Sequence, residues 1–171
     1  MLIELSKLVG MPVGSLNEGA FVGSVRQTVI SPEDAKLIGF TIKIGSIFSK
    51  ILVVSFQDVV DIDQGGVVIN SRDNLVEKEE IVRVGEILKH KFNLIGLKAV
   101  SKDKQNLGRV QDAVVETQSG DILRLYTSRM YQNRVFERSK IDKITWREVV
   151  LNCESEEKAK EKATVPEAEL A

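Results

Sequence analysis

The sequence predicts an all-β protein: two tandem small antiparallel β-barrels joined by a short helix, with a flexible, charged C-terminal tail. Three observations carry this. One pattern of apolar residues and glycines is written twice, apolar and polar residues alternate with a period of two inside each copy, and between the copies the period becomes helical. The expected units are residues 1–75, a connector over 76–90, residues 91–152 and a tail over 153–171.

The repeat is read from paired landmarks. Leu8-Val9-Gly10 matches Leu94-Ile95-Gly96, and Gly23-Ser24-Val25 matches Gly108-Arg109-Val110. Further on, Ile38-Gly39-Phe40 matches Leu123-Arg124-Leu125, Phe56 matches Phe136, and the ending Gly65–Asn70 matches Trp146–Asn152. A solenoid would need more copies of a shorter unit.

Each element then follows in order. "SVRQTVI" and "RVQDAVVE" form one strand per copy, and "SPEDAK" and "TQSGD" supply the turn after it, with Pro, Asp and Gly where a tight turn needs them. "LIGFTIKIG" alternates, with Ile38, Phe40, Ile42 and Ile44 on one face and Gly39, Thr41 and Lys43 on the other. "DILRLYT" does the same, with Leu123 and Leu125 inward and Arg124 and Tyr126 outward. "KILVVSF" and "NRVFE" give the next strand, and short Val-rich strands complete each copy. Five or six short strands in so small a unit suit a closed antiparallel barrel, which leaves no exposed edge. Between the copies, Ile81, Val84 and Leu88 recur at helical spacing, so a short amphipathic helix is expected near residues 80–89. Residues 154–171 hold almost no large apolar side chain to offset the entropy of ordering, so disorder is expected there.

Composition excludes several classes. No apolar run approaches the roughly 20 residues that span a bilayer, and "MLIELSKLVG" lacks the basic start and apolar core of a signal peptide. A soluble cytoplasmic protein is the expectation. One cysteine, Cys153, permits no internal disulfide, and one histidine, His90, reads as a solvated residue at a helix end. Asp58, Asp61 and Asp63 read as a solvated turn rather than a metal site. Trp146 reads as a core or interdomain plug. No phosphate-binding glycine loop is present, and no paired acid–base groups are evident, so no catalytic residue, metal or cofactor is expected.

The order of these landmarks resembles the PRC-barrel domain: an apolar pair plus Gly, a short strand, Gly-x-Val, a long strand, an acidic turn, an alternating strand, and a last Val-Val strand. That family takes its name from the cytoplasmic part of the photosynthetic reaction-centre H subunit, and it also forms the C-terminal domain of the ribosome maturation factor. The resemblance covers both copies. It implies a fold and a role in docking other proteins or assisting ribonucleoprotein assembly, and it carries no shared catalytic motif.

Charge separates the copies. Residues 1–75 hold six Lys/Arg against eight Asp/Glu, whereas residues 87–150 hold thirteen against seven. Within the second copy, Arg124, Arg129 and Arg134 interleave with Tyr126 and Tyr131. The plainest reading of that stretch is a solvated barrel face; a protein-docking surface comes next, since Tyr and Arg dominate hot spots, and a surface for RNA or the ribosome third. Two hairpin tips carry large apolar pairs, Ile47-Phe48 and Met130-Tyr131. Such a pair either folds over a barrel mouth or stands exposed as an anchor for a partner or a second copy. The favoured expectation is a non-enzymatic adaptor or scaffold that docks a protein partner, or packs as a homodimer presenting a partner surface, through Ile47, Phe48, Met130, Tyr131, Arg124, Tyr126, Arg129 and Arg134. The alternative is an RNA-binding or ribosome-assembly factor acting through the basic second copy.

Overall fold

The computed structural model describes residues 1–45 and 49–153. It is mostly β and holds two sheets. The first contains β2 (Pro12–Ser15), β3 (Ala20–Ser31), β4 (Lys36–Ile44), β5 (Lys50–Ser55), β6 (Val59–Asp63) and β7 (Gly66–Ile69) in the order β5-β4-β3-β2-β7-β6. The second contains β8 (Lys98–Ser101), β9 (Asn106–Glu116), β10 (Ile122–Arg129), β11 (Gln132–Glu137), β12 (Ile141–Ile144) and β13 (Glu148–Leu151) in the order β11-β10-β9-β8-β13-β12. Adding six to each strand number of the first sheet gives the second. A 3-10 turn stands at the same place in both, Phe56–Asp58 and Arg138–Lys140.

The antiparallel expectation needs correction in one pair per sheet. β2 runs parallel to β7, with Val13 opposite Val67, and β8 runs parallel to β13, with Ala99 opposite Val149. Alternation records which face of a strand is buried and carries no information on the direction of its neighbour. Among the described residues no ladder joins β5 to β6 or β11 to β12; the 3-10 turns make those passages instead.

Two strands depart from simple alternation. In β4, Phe40 and Ile42 are buried, but so are Gly39 and Thr41 on the opposite face. The helix α2 (Val82–Lys89), which lies between the sheets in chain order and packs on β3, brings Val84 over Gly39 on that second face. A Cβ at Gly39 would sit 3.4 Å from Val84 Cγ2 and 2.5 Å from the Val54 carbonyl oxygen, so glycine there admits close packing. In β10, Ile122 and Leu125 are buried while Leu123 is only half-buried. A register shift against β9 between Ile122 and Arg124 resets the alternation. The landmark pairing of Phe56 with Phe136 also shifts. Phe40 faces Val54 and Leu125 faces Phe136, so the counterpart of Phe136 is Val54, and Phe56 instead begins a 3-10 turn.

Apart from Val100, Val114 and Val150, the buried apolar side chains of both halves form one contiguous core. Two further devices join the halves. The first strand, β1 (Leu2–Glu4), pairs with β9 of the second sheet, Ile3 opposite Val115, and the short helix α1 (Leu5–Leu8) that follows touches both β9 and β3. The second device is a meeting of equivalent turns. Leu37 N–H donates to the Gly120 carbonyl at 2.8 Å, and Ile122 N–H donates to the Ala35 carbonyl at 3.2 Å. Residues 35 and 120, and 37 and 122, hold equivalent places, so the pair of bonds has the self-complementary form of a two-fold contact. Lys36 Nζ lies 3.2 Å from Asp121 Oδ1, and Arg138 donates to the Asp34 carbonyl at 3.2 Å across the same joint. Ala35 and Gly120 both have positive φ, 51° and 74°. A Cβ at Gly120 would lie 2.7 Å from the Leu37 carbonyl oxygen, which excludes other residues without a shift.

Candidate functional site

The β10–β11 hairpin closes with a two-residue turn, Met130-Tyr131, between the paired residues Arg129 and Gln132. Both turn residues have positive φ, 46° and 69°, the signature of a type I′ turn. Such turns favour Asn-Gly, since an L side chain in this region costs on the order of 1–2 kcal/mol. Here a methionine and a tyrosine occupy it. Met130 is 82% exposed and Tyr131 fully so, hence neither packs into the core. Arg129 Nη1 donates to the Asn106 carbonyl at 2.8 Å and fastens the hairpin to β9. Ile47 and Phe48, the equivalent pair of the first half, lie outside the described residues.

The four remaining sequence candidates divide between two faces. Arg124 stands opposite Glu137, and Tyr126 opposite Val135, on the outer face of the sheet. Arg134 stands opposite the buried Thr127, on the core side, and Arg129 shares that side near the tip. A period of two permits no other arrangement: even and odd positions of β10 point apart. Arg124 is ion-paired, and Arg134 is hydrogen-bonded to a neutral amide. Arg124 Nε lies 2.8 Å from Glu137 Oε1, and Arg134 donates to Gln132 Oε1 at 3.3 Å. The lysine-bearing turn before β9 is paired as well, Lys102 with Asp142 at 2.9 Å and Lys104 with Glu148 at 2.5 Å. Lys104 draws the Glu148 carboxyl below its ordinary range.

The other residues singled out from sequence find plain roles. Asp63 Oδ1 accepts the N–H groups of Gly65 and Gly66 at 2.6 and 3.1 Å, which builds the β6–β7 turn. Among the described residues no group of three or more His, Cys, Asp or Glu could hold a metal ion. His90 caps α2, exposed, as its sequence position suggested. Trp146 corrects the plug reading: it is 47% exposed, in the turn before β13, with ring contacts to His90 at 5.0 Å and Phe92 at 5.6 Å. Burial pushes the Cys153 thiol up, against the pull of nearby Arg134 and Lys140. A cleft of about 570 Å³ where β1 crosses to the second half is lined by Leu2, Glu4, Lys7, Met11, Val114 and Arg124 among others, with Glu4 and Lys7 paired at 2.8 Å.

One feature escaped the sequence reading. β11 ends its sheet, and among the described residues nothing pairs with its outer edge. In the first half the matching edge of β5 is taken by Val76, whose N–H and C=O both bond to Val53. Residues 1–76 match the family model of the PRC-barrel domain. The match spans less than half of the 171 residues, and it ends on the residue that covers the β5 edge. No curated protein matches the chain. The PRC-barrel match therefore covers the first sheet together with β1, and the second sheet repeats its strand order. No helix among the described residues is long and apolar enough to cross a membrane.

Proposed function

We propose that the chain is a non-enzymatic docking module built from two PRC-like barrels, in which the second presents the partner surface. The common strand order, the parallel pair at the same place and the equivalent 3-10 turns support a second copy of the unit. The observation that carries the docking reading is the hairpin tip. A large apolar pair is displayed on a short two-residue turn, in a backbone region that disfavours it, where a polar pair would be cheaper. An exposed tyrosine ring offers a large contact area with only two side-chain torsions to freeze, and a flexible, polarisable methionine adapts to a partner's surface, so the pair suits a protein anchor.

The RNA reading rests on the basic excess of the second copy. Pairing of Arg124, Lys102 and Lys104 with carboxylates weakens it, since each contact with a phosphate would first break an ion pair. Affinity capture from cell extract with the full chain, with and without RNase, separates the two. Recovery of a discrete protein that survives RNase and moderate salt, and that is lost in Tyr131→Ser and Met130→Ser with unchanged melting temperature, supports docking at the tip. Recovery abolished by RNase supports the RNA reading, and recovery unchanged in both tip variants overturns the assignment of the tip.

A further inference from the structure

The two outer strands hold equivalent positions but different neighbours. On β5, Val53 N–H donates to the Val76 carbonyl at 2.8 Å and Val76 N–H donates to the Val53 carbonyl at 3.0 Å. Val53 is 1% exposed. The segment that brings Val76 there is acidic, "DNLVEKEE", and Glu77 pairs with Lys50 of β5 at 2.7 Å. Through the pairs Phe40–Val54 and Leu125–Phe136, Val53 corresponds to Val135. Val135 is 56% exposed.

The backbone of Val135 is also presented like that of Val53. A two-residue turn makes Arg129 and Gln132 a hydrogen-bonded pair, and antiparallel pairs alternate from there. Ser128–Asn133 and Tyr126–Val135 are then the non-bonded pairs, so the N–H and C=O of Asn133 and Val135 point outward, away from β10. An open edge of this kind is a template for another strand. The charge differs in sign from the segment on β5: residues 129–140 hold four basic residues, Arg129, Arg134, Arg138 and Lys140, against Glu137 alone.

We propose that the outer edge of β11 binds an extended acidic peptide of a partner protein as an added strand, in the way that β5 holds Leu75–Val76 of its own chain. The inference rests on the docking reading and names its partner chemistry: a β-branched residue flanked by acids. Main-chain bonds to Asn133 and Val135 supply affinity, and the basic flanks select for acids. Residues 154–171 fit the edge less well, since their one valine, Val165, precedes Pro166 and follows three lysines.

The test uses the full chain and a labelled synthetic peptide of its own residues 71–81, SRDNLVEKEEI. Saturable binding is expected, with amide shifts confined to Gln132–Glu137 and the Met130-Tyr131 tip. Methylating the peptide's valine nitrogen, or Val135→Pro, should weaken it about tenfold or more, because each removes one strand bond. Val135→Asp, which repels the acids, serves as the second variant should the proline disturb the hairpin. Binding unaffected by either variant overturns the proposal. So does slow hydrogen exchange of the Val135 N–H in the free chain, which would mean that residues 154–171 or, if sedimentation shows a dimer, a second copy already occupies the edge. Capture lost on Tyr131→Ser without peptide binding would retain the docking reading and discard this one.

Discussion

In the first half the outermost strand is closed: Val76 covers Val53, and the valine is lost from solvent. In the second half the same position faces water, and the hairpin beside it displays two large apolar side chains. Both halves have one strand order and share one core, so the difference cannot come from the demands of the fold. It teaches that the shared strand order answers for architecture, while the covering of the outer edge is not set by it.

The comparison can be broken first at the core. Phe40 and Leu125 hold the same position in the two sheets and are both fully buried. Phe40→Ala should cost about 3–5 kcal/mol and Leu125→Ala about 2–5 kcal/mol. Because the core is continuous, each should lower one common transition in denaturant; two separate transitions would mean that the halves are independent. Next comes the joint. Gly120→Ala adds a Cβ at positive φ against the Leu37 carbonyl, with an expected loss of roughly 1–2 kcal/mol or more, whereas Ala35→Gly at the equivalent turn should be near neutral. Equal losses would mean that the added Cβ and its positive φ are not what sets the cost at Gly120. At the tip the sign reverses: replacing Met130-Tyr131 by Asn-Gly should raise stability by about 1–2 kcal/mol while abolishing partner capture. A fall in melting temperature would show that the pair serves the fold.

The smallest effect is that of pH. The Glu116 carboxyl is held at about 2, first by the Met1 ammonium 3.0 Å away and then by the N–H groups of Ser119 and Gln118. Its folded pKa lies below the ordinary 4.5, so its contribution is fully present above that value and is lost as pH falls towards 2. Midpoints in urea should therefore drop less steeply with acid in Glu116→Gln than in the parent chain. Parallel slopes would mean that this carboxylate, at the end of β9 where β1 pairs, does not hold the joint.

Much of the architecture was legible because it rests on short-range pattern. The alternation in residues 38–44, the turn residues of "SPEDAK" and "TQSGD", and the helical spacing of Val84 and Leu88 all mark local structure, and each lies in a strand, turn or helix of the kind expected. What involves residues distant in sequence was not legible. Nothing in "LIE" says that it pairs with residues 114–116, and nothing in "NLVE" says that it covers β5. The basic cluster misled for a related reason. Arg124 and Arg134 look adjacent along the chain, yet a hairpin with a period of two sets them on opposite faces. The Phe56–Phe136 match paired two aromatics by type, where cross-strand register pairs Phe136 with Val54.

The meeting of the 31–36 and 117–121 turns bears on how such a chain arises. A single copy of the unit would leave the amide of residue 37 and the carbonyl of residue 35 unpaired, and would satisfy them on its own image. The present chain has the form of a homodimer whose subunits have been fused end to end. In a true homodimer any change to one subunit appears in the other, so both edges must be shut or both open. A single chain is free of that constraint: here Val76 bonds to the β5 edge, while among the described residues the matching edge of β11 stays open.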